Sequence, residues 1–92
     1  MNILYIHGYN GSPFGSSYHH LKLYAAGHNL HSIDYNPEQP ELAIQSIKQY
    51  VADNQINLII GASLGGFLAT ISKPDSILSI TDANNESLKW NV

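Results

Sequence analysis

The sequence has 92 residues, 43% hydrophobic and 12% charged, which is enough chain for one globular domain and too little for two. A net charge of -3 argues against a basic surface for nucleic acid or acidic lipid, and we expect neither a signal peptide nor a membrane span. The absence of cysteine excludes disulfides, thiolate metal sites and a cysteine nucleophile, and suits a cytoplasmic protein.

The first half of the chain alternates between apolar runs and helical spacing. Residues 3–6 are apolar throughout, which predicts a strand buried on both faces. A loop rich in glycine, asparagine, serine and proline follows over residues 8–16. Residues 30–35 predict a strand nearer an edge. Between these two regions, four side chains at helical spacing predict one packed helix face, with Gly27 placed to end the helix: Tyr18, Leu21, Tyr24 and Ala25.

The second half of the chain continues this alternation. The longest helix is predicted over residues 41–54, where apolar side chains share one face. A strongly apolar strand is predicted over residues 56–60. A third helix over residues 64–72 stops before Pro74, and residues 77–81 predict the last strand.

Alternation of strands and helices is typical of a parallel sheet covered by helices on both faces. We therefore expect a three-layer α/β/α fold whose four-stranded, mostly parallel sheet has the order 2-1-3-4. Residues 1–82 are expected to form the ordered unit of a single domain, and residues 83–92 a polar tail. Right-handed crossovers bring the C-terminal ends of the strands to one edge of the sheet, where sites in such folds lie.

The segment from Gly61 to Gly65 has the pattern Gly-x-Ser-x-Gly, with Ser63 at its centre. The pattern alone is weak, because chance supplies it in about 3% of chains of this length. Its position between a predicted buried strand and a predicted helix is the context that a nucleophile elbow requires. The two glycines would then be needed because side chains there would collide across the turn. The alternative is a glycine-rich turn with an incidental serine, as in nucleotide-binding α/β domains.

The loop after the first predicted strand supplies an independent observation. Acyl transfer needs two N–H groups directed at the developing oxyanion. One comes from the residue after the nucleophile, here Leu64, and the other from the loop after an adjacent strand. Gly8 allows the backbone to turn there, and Tyr9 is placed to present its N–H. The alternative is a strand-terminating glycine beside a packed histidine, His7.

These two motifs resemble the small bacterial YqiA-like esterases of the α/β-hydrolase superfamily. The resemblance rests on the His-Gly-Tyr-Asn-Gly-Ser-Pro loop that begins at His7 and on the Gly-Ala-Ser-Leu-Gly-Gly segment that begins at Gly61. It implies a fold equivalent to the first half of an α/β-hydrolase and small carboxylic esters as substrates. It also implies Ser63 as the nucleophile and the N–H groups of Tyr9 and Leu64 as the oxyanion hole.

The chain departs from that family in its histidines. The family places its triad acid and then its histidine after the serine, whereas all five histidines here precede Ser63: His7, His19, His20, His28 and His31. The sheet geometry puts His28 and His31 at the wrong end, while His19 and His20 are expected to be surface helix residues near the correct edge. Asp82 ends the last predicted strand on that edge, and we interpret it as a solvated turn aspartate.

The sequence therefore predicts a serine hydrolase of carboxylic esters, represented by a fragment or truncated form that lacks the triad acid and histidine. The alternative is a catalytically inactive α/β binding or interaction module. No cofactor or metal site is predicted, since neither a phosphate-binding loop nor metal-ligand spacing occurs. The expected partners are a small ester, if the protein is active, and a second copy of the chain bound through the open sheet edge, with no nucleic acid or membrane.

Overall fold

The computed structural model describes residues 1–62, 64–73 and 78–82, with only the backbone described in the last segment. Strands and helices alternate as follows: β1 (Asn2–Ile6), α1 (Ser16–Tyr24), β2 (Asn29–Ile33), α2 (Pro40–Asp53), β3 (Leu58–Ala62), α3 (Leu64–Ser72) and β4 (Leu78–Asp82). The predicted α/β class is confirmed. None of the helices in the described ranges has the length and apolar character that crossing a membrane requires.

The strands form one parallel sheet in the order β2-β1-β3-β4. β1 lies between two neighbours, and its Leu4 is in register with His31 of β2 and Ile59 of β3. Because all strands run the same way, the chain leaves β1, β2 and β3 at one common edge. The loops that follow these strands meet at that edge.

Side chains alternate along β1 and divide the core in two. Leu4 and Ile6 contribute to a cluster that α2 and α3 complete. Ile3 and Tyr5 contribute to a second cluster, which α1 completes with Leu21 and Ala25. Helices therefore cover both faces of the sheet, which makes the central strand apolar at every position from 3 to 6.

Most predicted boundaries differ from the structure by at least one residue, most clearly those of β3, β2 and α1. β3 begins at Leu58 and continues to Ala62, because Gly61 and Ala62 still pair with neighbouring strands, although they are small. β2 ends at Ile33, and the turn that follows it lies at residues 37–38. α1 ends at Tyr24, and Gly27 follows with a φ of 88° in the left-handed region, which glycine adopts readily.

The prediction that Tyr24 packs on the inner face of α1 is wrong, since its side chain is 75% exposed. Each residue rotates the helix by about 100°, so Leu21 and Ala25 lie within one narrow stripe and Tyr24 lies well to its side. Tyr18 remains partly buried against the same cluster, as expected. The inner face of α1 is therefore narrower than the spacing of apolar residues indicated.

We expect Leu21→Ala to lower the free energy of unfolding by about 2–5 kcal/mol, because the buried side chain leaves a cavity. Leu23→Ala is the matched control on the same helix: Leu21 is 0% exposed and Leu23 76%. The control should change stability by no more than about 0.5 kcal/mol. Urea unfolding of the two variants measures this, and equal midpoints would contradict the placement of α1.

Candidate functional site

The candidate site lies at the edge where the chain leaves β1 and β3. His7, Gly8 and Tyr9 follow β1, and α3 begins at Leu64, two residues after β3 ends at Ala62. Ser63, the predicted nucleophile, lies outside the described residues. The geometry of the site is therefore defined by the residues on either side of Ser63 in the chain and by their neighbours.

Gly61, near the end of β3, leaves no room for a side chain. A Cβ there would lie 2.4 Å from the carbonyl oxygen of Gly65 and 2.5 Å from the amide nitrogen of Gly66. Favourable contacts between non-bonded heavy atoms are about 3.5–4.0 Å. The chain therefore turns from strand to helix so tightly that the first turn of α3 contacts the end of β3.

Gly65 makes an even closer approach to a different strand. A Cβ there would lie 2.1 Å from the carbonyl oxygen of Ile6 and 2.5 Å from that of His7. The first turn of α3 thus lies directly against the backbone at the end of β1. This contact brings the loop after β1 beside the strand-to-helix turn, as the proposed catalytic geometry requires.

Two backbone N–H groups at this junction are available to a ligand. Leu64 is the first residue of α3, and the first N–H groups of a helix have no partner within it. Within residues 1–62, 64–73 and 78–82, the Tyr9 N–H donates to no other residue. These are the two groups that the sequence assigns to the oxyanion hole.

The side chain of Tyr9 is engaged elsewhere. Its hydroxyl donates a short hydrogen bond to the Glu38 carboxylate, in the loop between β2 and α2. This hydrogen bond, with a smaller contribution from the carboxylate charge, raises the pKa of Tyr9. The phenol is thus exposed and tied to a surface loop, which leaves the backbone as the part of Tyr9 suited to the site.

A cavity of about 320 Å³ adjoins the end of β3 on the side that α1 covers. Its wall is formed by Ala62, Tyr5, residues 8–12 and 15 of the β1–α1 loop, and residues 16–17 at the start of α1. Serine hydroxyls, one asparagine and backbone groups line it, without a charged side chain. Burial raises the pKa of Tyr5, whose hydroxyl is hydrogen-bonded to Ser17, so this hydroxyl stays protonated.

His7 belongs to a hydrogen-bonded cluster that the sequence analysis missed. Its Nε2 lies 3.0 Å from Oδ1 of Asp34, and its Nδ1 lies 2.7 Å from the carbonyl oxygen of Gly8. The ring stacks on Tyr35 with centroids 4.5 Å apart, and the Tyr35 hydroxyl donates to the His7 carbonyl at 2.7 Å. The sequence could have indicated this contact, because His7 follows β1 and Asp34 follows β2, the adjacent parallel strand.

Tyr35, like His7, is buried in this cluster. Burial raises its pKa to about 12, with smaller contributions from Tyr5 and from the charge of Asp34. The hydroxyl is therefore a permanent donor to the His7 carbonyl at neutral pH. The backbone N–H of Tyr35 also donates to Oδ1 of Asp34 at 2.9 Å. This carboxylate oxygen is thus hydrogen-bonded to both Tyr35 and His7.

The other four histidines have surroundings unlike those of a general base. His19 and His20 are exposed on α1, as predicted. His28 contacts the terminal amine of Met1 at 3.1 Å, at the opposite edge of the sheet. His31 lies in the middle of β2, not at its end as predicted, and contacts the Tyr50 hydroxyl at 2.7 Å.

Asp82 ends β4, and its backbone is in register with Ala62 at the same edge as the loop after β1. Its predicted role as a solvated turn residue concerns a side chain that lies outside the described residues. No histidine named above contacts the first turn of α3 through its ring. The described part of the site therefore consists of a tight turn, two backbone donors and a polar cavity.

We expect Gly65→Ala to lower the free energy of unfolding by about 1–3 kcal/mol, because the added carbon meets backbone that cannot move aside. Gly11→Ala is the control, since the nearest atom to its new carbon is Cβ of His7 at 3.3 Å. The control should cost clearly less. Urea denaturation compares the variants, and a Gly65→Ala midpoint equal to wild type would show that the contact with β1 is looser than described.

One protein family connects this site with known sequences. A sequence model described as an uncharacterised protein family (UPF0227) matches residues 2–77. No curated protein and no solved structure gives a significant match. The matched segment runs from the first residue of β1 to the residue before β4, so it contains both sequence motifs of the site. The chain therefore belongs to the UPF0227 family, the YqiA-like family of the α/β-hydrolase superfamily.

Proposed function

We propose that this chain carries the nucleophile elbow and oxyanion hole of a serine hydrolase that acts on small carboxylic esters. The observation that supports this most is the close approach at Gly65, whose missing side chain lets α3 contact the end of β1. A nucleophile elbow needs such a turn, together with a donor from the loop after a neighbouring strand. Nucleotide-binding turns also use a glycine for close helix–strand packing, and what further favours the elbow here is the family match over both motifs.

In the proposed reaction, Oγ of Ser63 attacks the ester carbonyl, and the carbonyl oxygen takes the negative charge. The N–H groups of Tyr9 and Leu64 donate to that oxyanion, where preorganised donors lower the barrier most. Collapse of the intermediate breaks the bond to the alcohol, which leaves with a proton. Water then attacks the acyl-serine, and the carboxylic acid is released.

The base that takes the Ser63 proton is not assigned to any of the five histidines. His7 has both ring nitrogens engaged, and His31 and His28 lie away from the site. A serine hydroxyl is a weak nucleophile without such a base. Loss of the histidine from a serine triad removes on the order of 10⁶ in turnover, and leaves roughly 10³–10⁴ over water. The 92 residues alone are thus expected to be a feeble esterase.

The cavity beside Ala62 supports a small substrate. Ligand pockets commonly range over about 300–1,000 Å³, and this one, at about 320 Å³, is near the lower limit. Serine hydroxyls and Asn10 in its wall can hydrogen-bond an uncharged polar group. A short acyl group fits this site better than a long alkyl chain.

We expect a fluorophosphonate probe to label wild type at Ser63, slowly, and to leave Ser63→Ala unlabelled. Ser12→Ala is the matched control, because Ser12 also lines the cavity but has no nucleophilic role in the proposal. Peptide mass spectrometry locates the adduct. Labelling that persists in Ser63→Ala would reject the assignment of the nucleophile.

Nitrophenyl acetate turnover extends the same test. Turnover above about 1 s⁻¹, the low end of typical enzymes, that vanishes in Ser63→Ala would mean that the chain does contain a base. If this turnover were also lost in a His19→Ala/His20→Ala protein, one of those two residues would be the base. An identical faint rate in all three proteins would show that Ser63 has no catalytic role in this chain.

We also propose that the 92-residue chain associates with a second copy beside β4. β4 is the last strand of the described sheet, and an open strand edge is a template for pairing. Phe67 and Ile71 lie one turn apart on α3, which packs on β4, and are 53% and 46% exposed. Two such side chains extend the apolar surface next to β4, the last strand of the described sheet.

We expect light scattering to show a mass that rises with concentration toward the dimer. Phe67→Glu should shift the protein toward monomer, because a charge in the contact opposes burial. Leu42→Glu is the control, since Leu42 is equally exposed on α2, at 54%. A wild-type protein that stays monomeric across the concentration range would end this proposal.

A further inference from the structure

We propose that His7 is a positioning residue, which orients the Gly8–Tyr9 peptide so that the Tyr9 N–H faces the oxyanion. The inference rests on the proposed function and deepens it. The sequence motif places His7 beside the oxyanion loop but leaves its side chain without a task. The structure connects that side chain to the peptide whose N–H the reaction uses.

The first step is the hydrogen bond to Gly8. Nδ1 of His7 lies 2.7 Å from the Gly8 carbonyl oxygen, which also accepts the Gly11 N–H at 3.1 Å. A trans peptide is planar, and its C=O and N–H point in opposite directions. No cis peptide bond occurs in the described residues. Two donors that hold the Gly8 carbonyl therefore also set the direction of the Tyr9 N–H, on the other side of the plane.

The second step is what holds the ring of His7. Asp34 accepts from Nε2 at 3.0 Å, and the ring lies stacked on Tyr35. The Tyr35 hydroxyl holds the His7 carbonyl, while its N–H holds Asp34. The ring is thus held at its edge and on its face, and the His7 backbone is held by a separate bond. Loss of the ring would therefore leave the Gly8 carbonyl with one of its two donors.

The third step concerns protons on the ring. The Gly8 carbonyl and the Asp34 carboxylate are both acceptors, so both bonds form together only when both ring nitrogens carry hydrogen. Asp34 is the acceptor that faces Nε2. Asp34 is otherwise exposed, and the His7 ring is almost fully buried. The carboxylate therefore holds the ring in the orientation in which Nδ1 contacts the Gly8 carbonyl.

The same arrangement explains why His7 is not the missing base. A base must have a free nitrogen within hydrogen-bond reach of the serine proton. Both nitrogens of His7 are committed to other atoms. His7 acts on the reaction only through the backbone that it orients.

The test uses the 92-residue chain, labelled with ¹⁵N and reacted at Ser63 with a fluorophosphonate. The phosphonyl oxygen of the adduct occupies the position of the oxyanion. In wild type we expect the amide protons of both Tyr9 and Leu64 to move downfield when the adduct forms. In His7→Leu the Tyr9 displacement should be lost and the Leu64 displacement kept, with labelling slowed by up to about 10²-fold.

Two further variants separate positioning from packing. His7→Asn places an amide donor close to where Nδ1 lies, so it should restore the Tyr9 displacement that His7→Leu loses. Asp34→Ala removes the partner of Nε2 at an exposed position and should weaken the Tyr9 displacement without unfolding the chain. His31→Leu is the control, because His31 is a partly buried histidine hydrogen-bonded to Tyr50, outside the loop.

The outcomes are distinct. If wild type forms no adduct at Ser63, the proposed function fails, and the positioning role fails with it. If the adduct forms and the Tyr9 displacement is the same in His7→Leu as in wild type, the positioning role alone is overturned. Equal loss of the Tyr9 and Leu64 displacements in His7→Leu would mean that His7 supports the fold generally, which also overturns it.

Discussion

The site depends on one contact, between the first turn of α3 and the end of β1. A single methyl group at Gly65 would overlap the carbonyl oxygens of Ile6 and His7, so the contact exists only because that residue has no side chain. Gly61 imposes the same condition on the turn itself. Together the two glycines hold backbone from three segments within van der Waals distance. The positions of the Tyr9 and Leu64 N–H groups, the proposed oxyanion donors, follow from this packing.

This contact is rigid because of the core on either side of β1. Its side chains are buried in two separate clusters, one against α1 and one against α2 and α3. Interiors packed in this way resist small displacements, so a shift of the strand end would disturb both clusters. The loop after β1 therefore begins at a fixed position. The hydrogen bonds of His7 with Asp34 and Tyr35 also hold the first residues of this loop. The packing of the core thus acts on the site through the backbone at the end of β1.

The sequence predicted what depends on local pattern. The continuous apolar run of β1 and the helical spacing of apolar residues in α2 could be recognised in the sequence. Buried positions recur along a strand or a helix with a known period. The end of β3 was not predictable from hydrophobicity, since Gly61 is extended through pairing with both β1 and β4, and Ala62 through pairing with β4. The His7–Asp34 contact joins residues 27 positions apart, and only the order of the strands makes them neighbours. The packing at Gly65 was predictable, since the elbow motif itself requires it.

The parts of the proposed reaction differ in what they need from a chain. An oxyanion hole is made of backbone N–H groups, and a strand end, a loop and the first turn of a helix suffice to place them. A general base is a side chain that must come within hydrogen-bond reach of the serine, and the ring nitrogens of His7, His28 and His31 contact other groups. In the proposed site, the glycines and the cluster around His7 would meet the first requirement. The two requirements depend on different contacts, so the proposed donors and the base can be tested separately.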